Sequence, residues 1–238
     1  MSASKLAPGL PLLTALCLLC VAMIATPGVA AALQSVSLDH LFGPRATAEI
    51  DWRGAPVPGG VQPFVLQAAD PAERETAVNC LAEAVYYEAG FEPVTGQRAV
   101  AQVVVNRVRD RNFPGSVCGV VYEGAGRKTG CQFSFVCDGS LRRRPPGAAQ
   151  LARARVIAEQ ALSGYVVTEV GTATHYHTDW VDPYWRPSLD QITQVGDHVF
   201  YKWPGKAGRP AALSAGRYAG GEVENRREAA VKTNNRLA

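Results

Sequence analysis

The chain has 238 residues, enough for one or two domains, but its two ends do not read as folded and leave a central block of single-domain size. Its formal net charge is +3, falling to +2 once Lys5 leaves with an export segment. So weak a positive balance gives no support for nucleic acid as a partner.

Lys5 precedes an apolar run from Leu10 to Ile24, and the small residues Ala25-Thr26-Pro27-Gly28-Val29-Ala30-Ala31-Ala32 follow it. Charge, hydrophobic stretch and small-residue site stand in the order of a secretory signal, which predicts cleavage near Leu33 and no stable membrane insertion afterwards. The rival is an uncleaved anchor, because the run approaches the length needed to span a bilayer. Residues 33–69 are rich in Pro, Gly and Ala without sustained periodicity and are expected to form a flexible linker.

The folded block is expected over residues 70–203. Asp70-Pro71-Ala72-Glu73 supplies a cap, a first-turn proline and an acid that completes a capping box, so a helix is predicted from Pro71 to Ala89. Its apolar stripe runs Val78, Leu81, Val85, and Gly90 offers the stop. Val94 to Val108 reads as a second, buried helix, and Ser116 to Tyr122 as a third, short one. Gly130 to Asp138 mixes aromatic and β-branched residues in alternation and is expected to be extended. Gly147 to Leu162 returns to helical spacing, ending at Gly164. Val166 to Thr178 and His198 to Trp203 are expected to be strands. Residues 204–238 carry seven Lys/Arg against three Glu with few large apolar side chains, and are expected to be a disordered basic tail. Several helices around a small, antiparallel sheet define an α+β domain.

Cys17 and Cys20 lie in the export segment; Cys80, Cys118, Cys131 and Cys137 remain. In an oxidising compartment four thiols imply disulfides, with three pairings open. No two of them have the spacing of a zinc knuckle.

Glu88 continues the series Val78, Leu81, Val85 by one more step of three, so a persisting helix turns its carboxyl toward the buried face. Poor solvation and the negative end of the helix both raise its pKa and favour a protonated acid near neutral pH. Cleavage of a glycosidic bond needs such a proton donor. The alternative is that the helix frays before Glu88, or that Arg98 or Arg107 pairs with it.

The stretch Cys80-Leu81-Ala82-Glu83-Ala84-Val85-Tyr86-Tyr87-Glu88-Ala89-Gly90-Phe91-Glu92-Pro93, with Gly96-Gln97 and Asn106-Arg107-Val108, resembles the SleB/CwlJ-type cell wall hydrolases. Further blocks agree in order: Phe113-Pro114 through Tyr122, Cys131-Gln132-Phe133-Ser134-Phe135, and Thr174-His175-Tyr176-His177 with Pro183-Tyr184-Trp185 and Gly196 to Tyr201. Ordered blocks over residues 73–203 are more specific than any one motif. The resemblance implies a lysozyme-like helical domain with a small antiparallel sheet, peptidoglycan glycan strands as partner, no cofactor, and a periplasmic or envelope location. It also implies cleavage of the MurNAc-GlcNAc β-1,4 linkage with Glu88 as acid/base, typically by lytic transglycosylation. Gly90-Phe91 departs from the family's commoner Arg-Gly pair, so a contact made by that Arg is missing.

Glu92 sits in the same motif as a second carboxylate, although a transglycosylase needs only one, because the muramic acid 6-hydroxyl replaces water. On a strand, Gln132 and Ser134 share one face as hydrogen-bonding groups, with Phe133 and Phe135 opposite. His175 and His177 share another face with Tyr176 opposite; no third ligand accompanies them, so substrate hydrogen bonding is preferred to metal binding. Tyr184 and Trp185 are suited to stacking on a sugar or filling the core. The rivals are a hydrolytic muramidase or glucosaminidase, a zinc amidase built on His175 and His177, and a wall-binding module without activity.

Overall fold

A computed structural model describes residues 60–127, 129–213 and 218–237. The expected export segment and most of the expected linker lie outside these residues. Helix α1 (Pro71–Ala89) begins as its sequence dictates: the Asp70 carboxylate accepts from the backbone N–H groups of Ala72 and Glu73, and Pro71 fills the first turn. It runs to Ala89, and the Gly90 N–H closes on Tyr86 O at 3.0 Å. Val78, Leu81 and Val85 are fully buried, each worth about 1.5–3 kcal/mol on removal from water.

Helix α2 (Val94–Arg109) is buried on nearly every side, and α3 (Val117–Val121) starts on a Ser116 cap. A disulfide ties Cys80 of α1 to Cys118 of α3, and a second joins Cys131 to Cys137. One-turn helices α4 (Ser134–Cys137) and α5 (Ser140–Arg143) lead to α6 (Ala148–Leu162), which packs along α1 and α2. The sheet is antiparallel, with β3 (His198–Lys202) between β1 (His175–Thr178) and β2 (Asp190–Val195). Tyr176 stands opposite Phe200, and His175 opposite Tyr201. One face of the sheet meets α2 through Phe200, Ala99 and Val103. Helix α7 (Glu222–Leu237) closes the domain against α1 and α3.

Four expectations are corrected. Residues 130–138 are not a strand: the Cα atoms of Cys131 and Cys137 are 6.0 Å apart, whereas six extended residues span about 20 Å, so the disulfide forces a turn and α4 forms inside it. Gln132 and Ser134 therefore share no strand face. Of residues 166–178, the last four alone are a strand, because Asn106 donates to the carbonyls of Gly171 and Ala173, and Arg107 to that of Thr174, before they reach the sheet. The tail is not disordered over residues 222–237. Glu222, with no exposed surface, accepts from the N–H groups of Val117 and Cys118, while Glu73 accepts from those of Glu222 and Val223. The folded part also begins before residue 70, since Val61, Phe64 and Leu66 are buried and Leu66 N–H bonds to Leu162 O. Among the described residues no helix is long and apolar enough to cross a membrane.

Candidate active site

Because α1 persists through Ala89, it carries Glu88 against the first strand. The Tyr176 hydroxyl donates to Glu88 Oε2 at 3.0 Å. Burial pushes the Glu88 carboxyl above the usual range, and Asp138 adds to the rise; the Tyr176 hydrogen bond and the Arg107 charge oppose it. Tyr176 is itself enclosed, with its ring 4.8 Å from His198 and 5.8 Å from Phe200.

Arg107 lies beneath this pair with 4% of its surface exposed. Its Nε donates to Thr174 O at 2.7 Å, and its guanidinium is 5.3 to 5.9 Å from the ring centroids of Phe113, Phe133 and Tyr176. Gln132, with its amide oxygen turned inward, accepts from both terminal nitrogens at 3.1 and 3.2 Å. The cation forms no ion pair with Glu88, whose one hydrogen-bond partner among the described residues is Tyr176. It acts on the carboxyl through space, and its delocalised charge tolerates the aromatic cage better than an ammonium would.

The other expected residues separate into distinct environments. Glu92 faces the β2–β3 hairpin: its Oε1 is 2.6 Å from His198 Nδ1, and burial and Asp197 push its pKa up to about 7. Two glycines leave room for it: a Cβ on Gly96 or Gly196 would fall 1.9 or 2.5 Å from Glu92 Oε2, and Gly196 also adopts a positive φ of 59°. Ser134 is exposed in the first turn of α4. His175 packs among Phe113, Trp185 and Trp203, and burial together with Arg107 lowers its pKa to about 4. His177 donates from Nδ1 to Thr178 O and accepts at Nε2 from the Tyr201 hydroxyl, both at 2.8 Å. Both of its nitrogens are engaged, and among the described residues no three His, Cys, Asp or Glu side chains are grouped to hold a metal. Trp185 lies over both histidines, while Tyr184 is 95% exposed.

The structure thus brings Glu88, Tyr176, Arg107 and Gln132 together and leaves Glu92, Ser134, His177 and Tyr184 outside that group. Tyr176 was legible as the residue opposite the two histidines, and Arg107 as a candidate ion-pair partner of Glu88, which it does not become.

These features define a helical α+β domain in which a poorly solvated, singly hydrogen-bonded carboxylic acid sits where the helices meet a small sheet. A sequence profile described as Cell Wall Hydrolase matches residues 91–201, starting just after Glu88. The chain is 33% identical over 123 residues to a spore cortex-lytic enzyme of Halalkalibacterium halodurans, covering 52% of this chain and 34% of that protein. It is 34% identical over 126 residues to one of Bacillus cereus, covering 52% and 44%. The crystallised catalytic domain of the Bacillus cereus SleB protein is 31% identical, with 58% of this chain and 95% of that chain covered and a TM-score of 0.46. The catalytic domain of the germination-specific lytic transglycosylase SleB from Bacillus anthracis is 30% identical, with 58% and 100% covered and the same TM-score. The chain carries a cell wall hydrolase domain, matched over residues 91–201. It spans less than half the length of the curated relatives it matches.

Proposed function

We propose that this protein is an exported enzyme that cleaves the glycan strands of peptidoglycan at the MurNAc-GlcNAc β-1,4 linkage by lytic transglycosylation, with Glu88 as both acid and base. The observation that carries this reading is the hydrogen bond from Tyr176 to one oxygen of a desolvated Glu88. With Oε2 accepting from Tyr176, the proton resides on Oε1. Glu88 donates it to the glycosidic oxygen as the bond to C1 breaks, and the resulting carboxylate is held by Tyr176 and by the nearby Arg107 charge. The carboxylate then takes the proton of the muramic acid 6-hydroxyl as that oxygen closes on C1, which restores the acid and leaves a 1,6-anhydromuramic end.

The environment of Glu92 supports transglycosylation over hydrolysis. Hydrolytic pairs need a second carboxylate at a defined separation across the scissile bond. Glu92 instead faces His198, with its Oε1 2.6 Å from Nδ1, and is packed against Gly96 of α2 and Gly196 of the hairpin. The test is mass spectrometry of fragments released from purified peptidoglycan. Anhydro ends are expected; reducing ends would replace this mechanism with hydrolysis, and release of stem peptides or of nothing would overturn the reading.

A further inference from the structure

The sheet has a second face. Side chains alternate along β1, so Tyr176 reaches Glu88 while His177 turns to the opposite side. There His177, Tyr201, Gln191, Gln194 and the turn Asp179-Trp180 border a pocket of 410 Å³ that shares no lining residue with the Glu88 group. Its size falls in the range of small-ligand sites.

The polar groups on its wall are set for a neutral, hydroxyl-rich ligand. The His177-Tyr201 bond spends both of those polar ends internally and fixes the floor. Gln194 donates to Asp179 Oδ2 at 3.1 Å and to Gly196 O at 3.3 Å, which leaves its own carbonyl oxygen as an acceptor. The Gln191 amide has no hydrogen-bond partner among the described residues. Asp182 and Arg186 cancel each other in an ion pair at 2.8 Å, so the pocket offers no net cation to an anionic ligand. Above these groups Trp180 leaves 70% of its surface in water. An exposed indole beside planar amides and a carboxylate matches a pyranose, which has an apolar C–H face and a rim of hydroxyl and acetamido groups.

We propose that this pocket is a second, non-catalytic glycan subsite that binds an N-acetylhexosamine unit of a peptidoglycan strand outside the Glu88 site. The substrate class rests on the function proposed above, but the site does not depend on Glu88 chemistry. The test uses the full chain carrying Glu88→Gln, so that substrate is not consumed, in a pelleting assay with purified sacculi. Adding Trp180→Ala should weaken adsorption about tenfold, the scale of one lost aromatic stack. Adding Gln191→Ala should weaken it less, and a soluble N-acetylglucosamine tetramer should compete for the Trp180-dependent part. The melting temperature should stay unchanged, because Trp180 is largely exposed. In the active protein Trp180→Ala should raise KM and spare kcat. Adsorption within twofold of the parent for both variants would overturn the proposal, as would a Trp180-dependent part that the tetramer does not displace, since a peptide or protein ligand would then be indicated. If the wild type binds through Trp180 yet releases no fragments, the catalytic reading fails and the subsite stands.

Discussion

Tyr176→Phe removes one hydroxyl and isolates its hydrogen bond to Glu88. The ring keeps its place against His198 and Phe200, so packing is preserved. A hydrogen bond to a neutral acid is worth about 1 kcal/mol, and one to a carboxylate about 1.5–3 kcal/mol. The bond therefore stabilises the state reached after Glu88 gives up its proton by about 0.5–2 kcal/mol more than the state before. Losing it should slow cleavage by about two- to thirtyfold. The pH dependence has a definite sign. The hydroxyl is one of the two influences that lower the Glu88 pKa, so without it the carboxyl stays protonated to higher pH. The alkaline limb of the rate profile should move upward even as the plateau falls. The assay is loss of turbidity of sacculi across pH, with melting temperature as the control; a 1 kcal/mol loss in a domain of this size lowers it by about 2–4 °C. A wild-type plateau with an unmoved alkaline limb would refute the coupling, and a limb that moves downward would reverse it.

Glu88→Gln should reduce cleavage by at least ~10²- to 10⁴-fold, because the amide keeps the shape of the carboxyl but cannot cycle a proton. Circular dichroism should show an intact fold; wild-type turnover, or inactivity accompanied by unfolding, counts against Glu88. Glu92 has a folded pKa near 7, raised above its usual value, so its ionisation in the folded protein costs stability as pH rises from about 4.5 through 7. Glu92→Gln should consequently gain melting temperature relative to wild type at pH 8 and not at pH 4, and a difference that is flat with pH would show that the hairpin does not resist the charge. The loop entropies of the two disulfides differ: with separations of 38 and 6 residues, chain-entropy estimates give about 4 kcal/mol for Cys80–Cys118 and about 2 kcal/mol for Cys131–Cys137. Replacing the first pair by Ala should therefore lower the denaturant midpoint more than replacing the second, and the reverse order would contradict this accounting.

Much of the helical part was legible because its signals are local. Asp70, Pro71 and Glu73 mark the start of α1 and Gly90 its end, and the step from Val85 to Glu88 foretells which side the acid occupies. What was not legible depends on distant partners. Residues 131–137 have strand composition, yet a covalent link between their ends overrides it. Asp190 to Val195 alternate too weakly to announce an edge strand, and β2 forms because β3 offers it a ladder. The last helix has few large apolar residues, and its placement comes from single carboxylates meeting helix ends more than a hundred residues away. In the site, the inward placement of Glu88 could be read from periodicity, whereas Tyr176, Arg107 and Gln132 meet it through three separate elements. Glu92 looked like a second acid by spacing alone, and its contact with His198 appears once the hairpin is folded.

The interlocked carboxylates of α7 have a consequence for how the molecule reaches its native state. Glu73, near the start of the fold, caps the first turn of α7, and Glu222, near its finish, caps the first turn of α3, so each half leaves a helix end open until the other arrives. Glu83 on α1 makes the same demand of Arg226. A chain still emerging from a ribosome lacks these closing contacts until residues 222–237 are free. Partial products are thereby held back from the finished fold, and cleavage just ahead of Gly221 should loosen the clasp at both ends.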